Sequence, residues 1–304
     1  MVIKTLAAVG ACAILALSGL STTAVSQPAS GVPTGQGVTT IVIGSGDFPE
    51  SQLIATIYAK ALTAKGIVTT LRTNIGSREV YMPALLDGSI DLLPEYAGAL
   101  LSYLDKKATA HSSTDVEAAL KVALPSGISI LTPSTAQNAD TLVVTRSTAT
   151  KYNLKTIADL APVAGEFVLG GPPEWKTRKE GVVGLKTVYN LKFKSFKGLD
   201  AGGPLTLSAL KNGQIQVADL FTSDPEITTQ DLVALEDVKN LFPAQNIVPL
   251  IATSKSNAIV AKTLDAVSAS LSTQDLIKMN ERLAKHASFD DVANDWIAAK
   301  GLNH

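Results

Sequence analysis

The stretch ALLDGSIDLLPEY at residues 84–96 has a counterpart further along the chain, ALKNGQIQVADLF at residues 209–221. Ala, Leu, Gly and Ile recur at matching positions, and Tyr96 at the end of the first stretch is matched by Phe221 at the end of the second. Each stretch is typical of a helix end, a glycine at the helix C-terminus and an apolar strand. Such a unit also recurs by chance in α/β proteins. Because Tyr96 and Phe221, the aromatic residues that end the two stretches, also align, we predict two similar lobes.

The ends of the two repeated strands indicate where a ligand would bind. In an open α/β sheet, ligands are met at the carboxyl ends of strands. We therefore expect Tyr96 and Phe221 to face one shared cleft. Strands alternate with helices along most of the chain, which predicts an α/β fold with largely parallel central sheets. Crossings near residues 138–140 and 243–246 divide the chain into lobe I, residues 38–138 plus 247–304, and lobe II, residues 139–246, joined as a hinged clamshell.

The N-terminal segment differs in composition from the rest. Residues 1–24 hold one lysine, an apolar run and then small residues, which is typical of a secretory signal peptide. Residues 25–37 are rich in Ser, Gln, Pro and Gly and are predicted to be a flexible leader. The expected product is an exported, periplasmic or extracytoplasmic protein without a lipid anchor, because Leu20 stands where a lipoprotein signal needs cysteine. Cys12, the only cysteine, is a weaker candidate for lipidation.

The composition favours binding over catalysis. The 304 residues carry a net charge of −1, with 17% charged side chains, so no basic surface indicates nucleic acid as a partner. The three histidines are far apart, no Gly-x-Ser-x-Gly motif occurs, and the chain lacks a P-loop. We therefore predict no metal, no cofactor and no enzymatic activity. A remote alternative is an exported hydrolase that uses cleft carboxylates from among Asp47, Glu50, Glu95 and Asp224.

Five short segments, in order, resemble one protein family. They are GSGDFPESQ at 44–52, PEYAGA at 94–99, TRKEGVVGL at 177–185, DLFTSD at 219–224 and FPAQNIVP at 242–249. Together they resemble the osmoprotectant-binding proteins of ABC importers, the glycine betaine/carnitine/choline-binding family, over residues 40–300. The resemblance implies a two-lobe periplasmic-binding-protein fold, the type II Venus flytrap. It also implies a non-catalytic, monomeric subunit that delivers a small solute to a membrane permease and its ATPase subunits.

The resemblance also implies positions for the ligand site. The family holds quaternary ammonium groups in a box of aromatic rings, through cation–π attraction and apolar contact. Tyr96 and Phe221 fall on two of the box positions, whereas Thr141 and Gln245 fall on the other two and are not aromatic. Arg178 falls where the family places a carboxylate-binding arginine. Ser51 falls on a polar contact of the first helix.

Three further residues are candidates from their own positions. Asp47 precedes Pro49 and Glu50 and is expected to cap the first helix or to contact the ligand. Arg78 follows a glycine at a helix start and is a candidate ligand contact. Trp175 is expected either to pack inside its lobe or to contact the ligand. With half of the aromatic box replaced, we expect weak betaine binding or a different cargo, such as an uncharged aromatic or amphipathic molecule.

Overall fold

The structure is a computed structural model, and it describes residues 40–303. The predicted signal peptide, the leader and Cys12 lie outside these residues. The described residues form ten strands: β1 Ile41–Gly44, β2 Thr69–Arg72, β3 Leu92–Tyr96, β4 Ile128–Ile130, β5 Asp140–Thr145, β6 Val168–Gly171, β7 Ser195–Gly198, β8 Val217–Phe221, β9 Leu232–Ala234 and β10 Ile247–Ala252.

Eleven α-helices connect or cover the strands within the described residues. They are α1 Pro49–Ala64, α2 Arg78–Leu86, α3 Ala97–Leu104, α4 Ser113–Ala123, α5 Arg146–Tyr152, α6 Val182–Val188, α7 Pro204–Lys211, α8 Glu226–Thr229, α9 Ala258–Ser270, α10 Thr273–Ala284 and α11 Phe289–Ala299. Short 3₁₀ turns lie at Ile157–Leu160, Ala164–Glu166, Pro173–Lys176 and Thr253–Lys255. From residue 40 to residue 303, no helix is both long and apolar enough to cross a membrane.

Two five-stranded sheets repeat one topology. The first has the order β2-β1-β3-β10-β4 and the second the order β7-β6-β8-β5-β9. In each sheet the first three strands are parallel, and the last two join antiparallel. The strand of each sequence repeat, β3 or β8, holds the central position. The α/β prediction is confirmed, but each sheet is mixed, because β5 and β10 enter antiparallel after the chain has crossed from the other sheet.

We call the first sheet with its packed helices lobe I and the second sheet with its packed helices lobe II. Alternate residues of each strand enter cores on opposite faces of the sheet, as the two-residue period of a strand requires. In lobe I, one face of the sheet is covered by α1, whose Leu53, Ile54 and Ile57 are wholly buried among residues of α9, α10 and α11. The C-terminal helices therefore complete the lobe that begins the chain.

The start of α1 departs from the expected capping. Phe48, and not Asp47, is the N-cap residue, and no side chain caps the helix. Pro49 occupies the first helical position, where its missing N–H is not needed. As a result, the Asp47 side chain is exposed and free to face the cleft between the lobes.

Candidate functional site

Three aromatic rings from the two lobes meet at the cleft. Tyr96 ends β3 in lobe I, Phe221 ends β8 in lobe II, and Phe48 precedes α1. The Phe48 ring centroid lies 5.7 Å from that of Tyr96 and 5.7 Å from that of Phe221, with the ring planes tilted by 42° and 36°. The rings form one continuous apolar wall. The two repeats thus bring their terminal aromatics to one place, with Phe48 between them.

The wall lines a cavity between the two sheets. Its space amounts to about 600 Å³, including the mouth that opens to solvent. Six of the predicted residues line it: Asp47, Arg78, Tyr96, Arg178, Phe221 and Gln245. Residues that the sequence prediction did not include also line it, among them Phe48, Tyr81, Asn138, Asp140 and Glu174.

Gly202 allows a lobe II loop to lie close to the Phe221 ring. Its φ of 65° is in the left-handed region, which favours glycine. A Cβ atom at this position would stand 2.8 Å from Phe221 Cδ2. The absence of a side chain at position 202 therefore lets this loop approach the Phe221 ring.

The Glu50 carboxylate is the hub of a buried network beneath the rings. Its Oε1 accepts hydrogen bonds from the Tyr96 hydroxyl and from Asn138 Nδ2, both at 2.8 Å. Its Oε2 accepts from the Ser223 hydroxyl at 2.6 Å and from Asn280 Nδ2 at 2.7 Å. Four donors satisfy a carboxylate that is only 4% exposed. The network fixes the Tyr96 ring and joins lobe I to Ser223 of lobe II.

Arg78 is held by a buried ion pair. Its Nε donates to Glu95 Oε1 at 2.8 Å and its Nη2 to Glu95 Oε2 at 2.9 Å, while the Tyr81 hydroxyl donates to Oε1 at 2.7 Å. Glu95 is 0% exposed and also accepts the Tyr96 backbone N–H. The pair is bidentate, the strongest geometry that Arg and a carboxylate adopt. Its partner Glu95 directly precedes Tyr96, so the pair stiffens the strand end that carries the ring.

Arg178 crosses from one lobe to the other. Its Nε lies 3.1 Å from Glu79 Oε1 and its Nη2 2.8 Å from Glu79 Oε2, on α2 of lobe I. Glu174 of its own lobe is 3.6 Å from Nη2. Hydrogen bonds from Arg178, together with its charge, lower the pKa of Glu79 to about 2 despite partial desolvation. The lobes are therefore held together at this edge by a charge pair.

Gln245 lies where the chain returns to lobe I. Its Oε1 accepts the Ala99 backbone N–H at 2.9 Å, so the amide oxygen is already engaged. Nearby, Gly98 lies against the same crossing, and a Cβ there would stand 2.6 Å from Pro243 Cγ and 2.7 Å from the Ala244 oxygen. The crossing thus packs directly on the start of α3.

Two acidic side chains of lobe II lie on one face of its sheet. Asp140 is the register partner of Phe221, and Leu142 that of Asp219, so Asp140 and Asp219 share the face that carries the Phe221 ring. Desolvation and the neighbouring Glu180 raise the pKa of Asp140 to about 6, against the opposing effect of Arg178. Burial and the charge of Asp140 raise the pKa of Asp219 well above its ordinary value. Burial and mutual repulsion therefore both disfavour two negative charges on this face.

Three predicted residues lie outside the cavity wall. Ser51 is buried, and its Oγ accepts the Gly46 N–H at 3.0 Å, so it organises the turn before α1. Thr141 points to the opposite face of β5, because successive side chains alternate, and Asp140 takes the cleft-facing position. Trp175 is 1% exposed and stacks at 6.5 Å on Phe242 in the core of lobe II. Of its two expected roles, packing inside the lobe is the one that the structure describes.

The carboxylates considered for hydrolysis do not form a catalytic acid/base pair. Glu50 and Glu95 are saturated with hydrogen bonds from Tyr96, Ser223, Arg78 and their neighbours. Asp224 Oδ2 accepts the Phe221 backbone N–H at 2.8 Å. In the described part of the chain, no three His, Cys, Asp or Glu residues are grouped as metal ligands would be. The arrangement supports the binding of a small molecule against rings.

The fold and the site define a class: a two-lobed solute-binding protein with the type II periplasmic binding fold. A solved glycine betaine/carnitine/choline ABC transporter structure matches 87% of this chain and 100% of its own, with a TM-score of 0.68 and 23% identity. At this identity the match shows the fold alone.

The family follows from the sequence comparison. The family model described as the substrate-binding domain of ABC-type glycine betaine transport systems matches residues 39–299, and the chain belongs to this family. It is 29% identical over 279 residues to the carnitine transport binding protein OpuCC of Listeria monocytogenes, which covers 88% of this chain and 87% of that protein. It is 25% identical over 281 residues to the glycine betaine-binding protein YehZ of Escherichia coli, with 88% and 92% covered. Members of the family are extracytoplasmic, non-catalytic transport proteins.

Proposed function

We propose that this chain is the solute-binding subunit of an ABC importer and that it carries a quaternary ammonium compatible solute to the permease and its ATPase subunits. The observation that supports this most strongly is the wall formed by Phe48, Tyr96 and Phe221. A methylated ammonium cannot donate strong hydrogen bonds, so ring faces are its best partners, each contributing about 0.5–2 kcal/mol. Phe48 restores one of the rings that Thr141 and Gln245 do not supply.

The mechanism is closure of two lobes on the solute. We propose that lobe I comprises residues 38–138 and 247–304, that lobe II comprises residues 139–246, and that the crossings act as the hinge. Solute enters while the lobes are apart and rests on the rings of lobe I. Closure then places Phe221 against the solute and forms the Glu50–Ser223 hydrogen bond and the Arg178–Glu79 pair. It also excludes water from the cation. The closed monomer is the form presented to the permease.

The protein must be exported before it can bind solute outside the cytoplasm. We propose that residues 1–24 are removed as a signal peptide and that the protein works outside the cytoplasm without a lipid anchor. Leu20 in place of the cysteine that lipidation needs supports this, and metabolic labelling with a fatty acid tests it. Incorporation of label that is lost in Cys12→Ser would instead assign a lipid anchor at Cys12.

A thermal-shift titration tests the choice of cargo. The panel holds choline, glycine betaine, carnitine, a polyamine and an uncharged aromatic, because a ligand that binds only the folded state raises Tm by mass action. We expect a dose-dependent rise with quaternary amines that is reduced in Phe48→Ala. A rise with the uncharged aromatic alone would keep the importer role and discard the quaternary ammonium cargo.

A further inference from the structure

Some of the charged side chains around the cavity already have partners within the protein, and others do not. Its lining includes two cations, Arg78 and Arg178, and three carboxylates, Asp47, Asp140 and Glu174. Which of these already have partners determines the kind of solute that the closed cleft accepts.

Both arginines are already paired. Each of the two Glu95 oxygens receives a hydrogen bond from Arg78, at 2.8 and 2.9 Å, inside the protein. Arg178 is engaged by both Glu79 oxygens, at 3.1 and 2.8 Å, with Glu174 close behind. A ligand carboxylate would have to displace Glu79, and displacement would break the charge pair that joins the lobes. In this arrangement Arg178 is a contact between the lobes, paired with Glu79 and close to Glu174.

Two of the lining carboxylates, Asp140 and Asp47, make no hydrogen bond and no salt bridge within residues 40–303. Asp47 is exposed to solvent, whereas Asp140 is half-buried in the cavity wall. Its register partner is Phe221, so the carboxylate stands beside the ring on the same face of the sheet. Asp219, 1% exposed and with both oxygens unpartnered among the described residues, lies on that face behind it. An anionic ligand group placed there would be repelled.

We infer that Asp140 sets the charge specificity of the cleft and that its solute is a small organic cation without a carboxylate, such as choline. This inference rests on the proposed function. The rings hold the methyl groups, Asp140 neutralises the positive charge, and the charge of each arginine is already balanced by a carboxylate. A zwitterion with the same trimethylammonium head binds less tightly because its carboxylate meets Asp140 and finds no cation whose charge is unbalanced.

Choline and glycine betaine are the matched probes, since they share the trimethylammonium group and differ in carrying a hydroxyl or a carboxylate. Isothermal titration of the protein at pH 7.5 should give a Kd for choline at least tenfold below that for betaine. Asp140→Asn should weaken choline binding by tenfold or more and leave betaine unchanged or tighter. Asp231→Asn, the same chemical change at an exposed lobe II position, is the control and should alter neither Kd.

A second variant keeps the test independent of how Asp140→Asn folds. Glu79 is exposed, and Glu79→Gln releases Arg178 from its partner. Betaine affinity should rise at least threefold in this variant relative to choline affinity.

The pH dependence gives a further measurement. Neither probe titrates between pH 5 and 7.5, and the charged groups that act on Asp140 are Glu180, Asp219, Arg178 and Arg78. Because the pKa of Asp140 is about 6, choline binding should tighten across this range, and Asp140→Asn should remove most of the change.

The outcomes distinguish failure of the charge inference from failure of the proposed function. Betaine binding as tightly as choline, or a choline preference that survives Asp140→Asn, overturns the charge inference and leaves the importer role standing. No binding of any quaternary ammonium overturns the proposed quaternary ammonium cargo and the charge inference with it.

Discussion

The Ser223 hydroxyl of lobe II donates a 2.6 Å hydrogen bond to the Glu50 carboxylate of lobe I, on the same carboxylate that receives the Tyr96 hydroxyl. One side chain therefore fixes a ring of the proposed site and also joins the two lobes. The proposed ligand contact and the contact between the lobes therefore depend on the same carboxylate.

Removing only the cross-lobe contact should weaken ligand binding. Ser223→Ala leaves Tyr96, Asn138 and Asn280 on Glu50 and deletes one hydrogen bond to a charged group, worth about 1.5–3 kcal/mol. Since the proposed closure forms this bond, we expect the Kd of the solute to rise by about tenfold or more, measured by titration calorimetry. Ser195→Ala, at an exposed position on β7 of lobe II, is the control. An unchanged Kd in Ser223→Ala would show that the bond does not contribute to closure.

The Tyr96 ring and its hydroxyl should make separable contributions. Tyr96→Ala removes a ring face and should raise the Kd for a quaternary ammonium by about 3- to 30-fold, corresponding to about 0.5–2 kcal/mol. Tyr96→Phe keeps the ring and loses only the hydrogen bond to Glu50, so its Kd should change less. Equal Kd values for wild type and Tyr96→Ala, with every ligand that binds, would show that the ligand does not bind at Tyr96.

The Arg78–Glu95 pair should matter for stability more than any surface pair. Arg78→Met leaves the Glu95 charge buried without a cation, and we expect the free energy of unfolding to fall by about 3–5 kcal/mol in urea titration. Arg282→Met breaks an exposed pair with Asp295, with side chains 42% and 66% exposed, and should cost less than about 1 kcal/mol. Similar losses in the two variants would contradict this assignment.

Asp224 should make stability fall as pH rises. Burial raises the pKa of its carboxyl to about 8, with Glu226 and Glu50 adding to the effect and the Phe221 N–H opposing it. A carboxyl whose pKa is higher in the folded than in the unfolded protein binds its proton more tightly when folded, so it disfavours folding progressively from about pH 4 up to about pH 8.

Asp224→Asn removes this penalty and keeps an acceptor for the Phe221 N–H. One pKa unit corresponds to about 1.36 kcal/mol, so the variant should gain a few kcal/mol over wild type at pH 9 and much less at pH 4, by urea denaturation. A gain that is the same at both pH values would show that the Asp224 charge is not the cause.

The sequence predicted the framework better than the site. The repeat placed Tyr96 and Phe221 correctly at the ends of equivalent strands, because helix, glycine and strand are encoded locally. Thr141 was displaced by one residue from the cleft-facing Asp140, and in a strand one residue changes the face. Phe48 lies within the GSGDFPESQ segment, but the sequence pattern there predicts Asp47 as the helix cap and gives no signal for a ring in the cleft.

The ion-pair partners of the arginines could not be predicted from the sequence. Arg178 and Glu79 are 99 residues apart, and only the packing of the lobes brings them together. Trp175 illustrates the same limit: an aromatic near a predicted cleft is equally suited to a core, and its burial against Phe242 follows from tertiary structure.

A crystal structure of the protein with choline tests the central claim most directly. The account predicts the ammonium group between the lobes, within about 6 Å of the ring centroids of Phe48, Tyr96 and Phe221, with Glu50 bonded to Ser223. Choline bound away from these rings, or a complex in which the lobes remain apart, would contradict it.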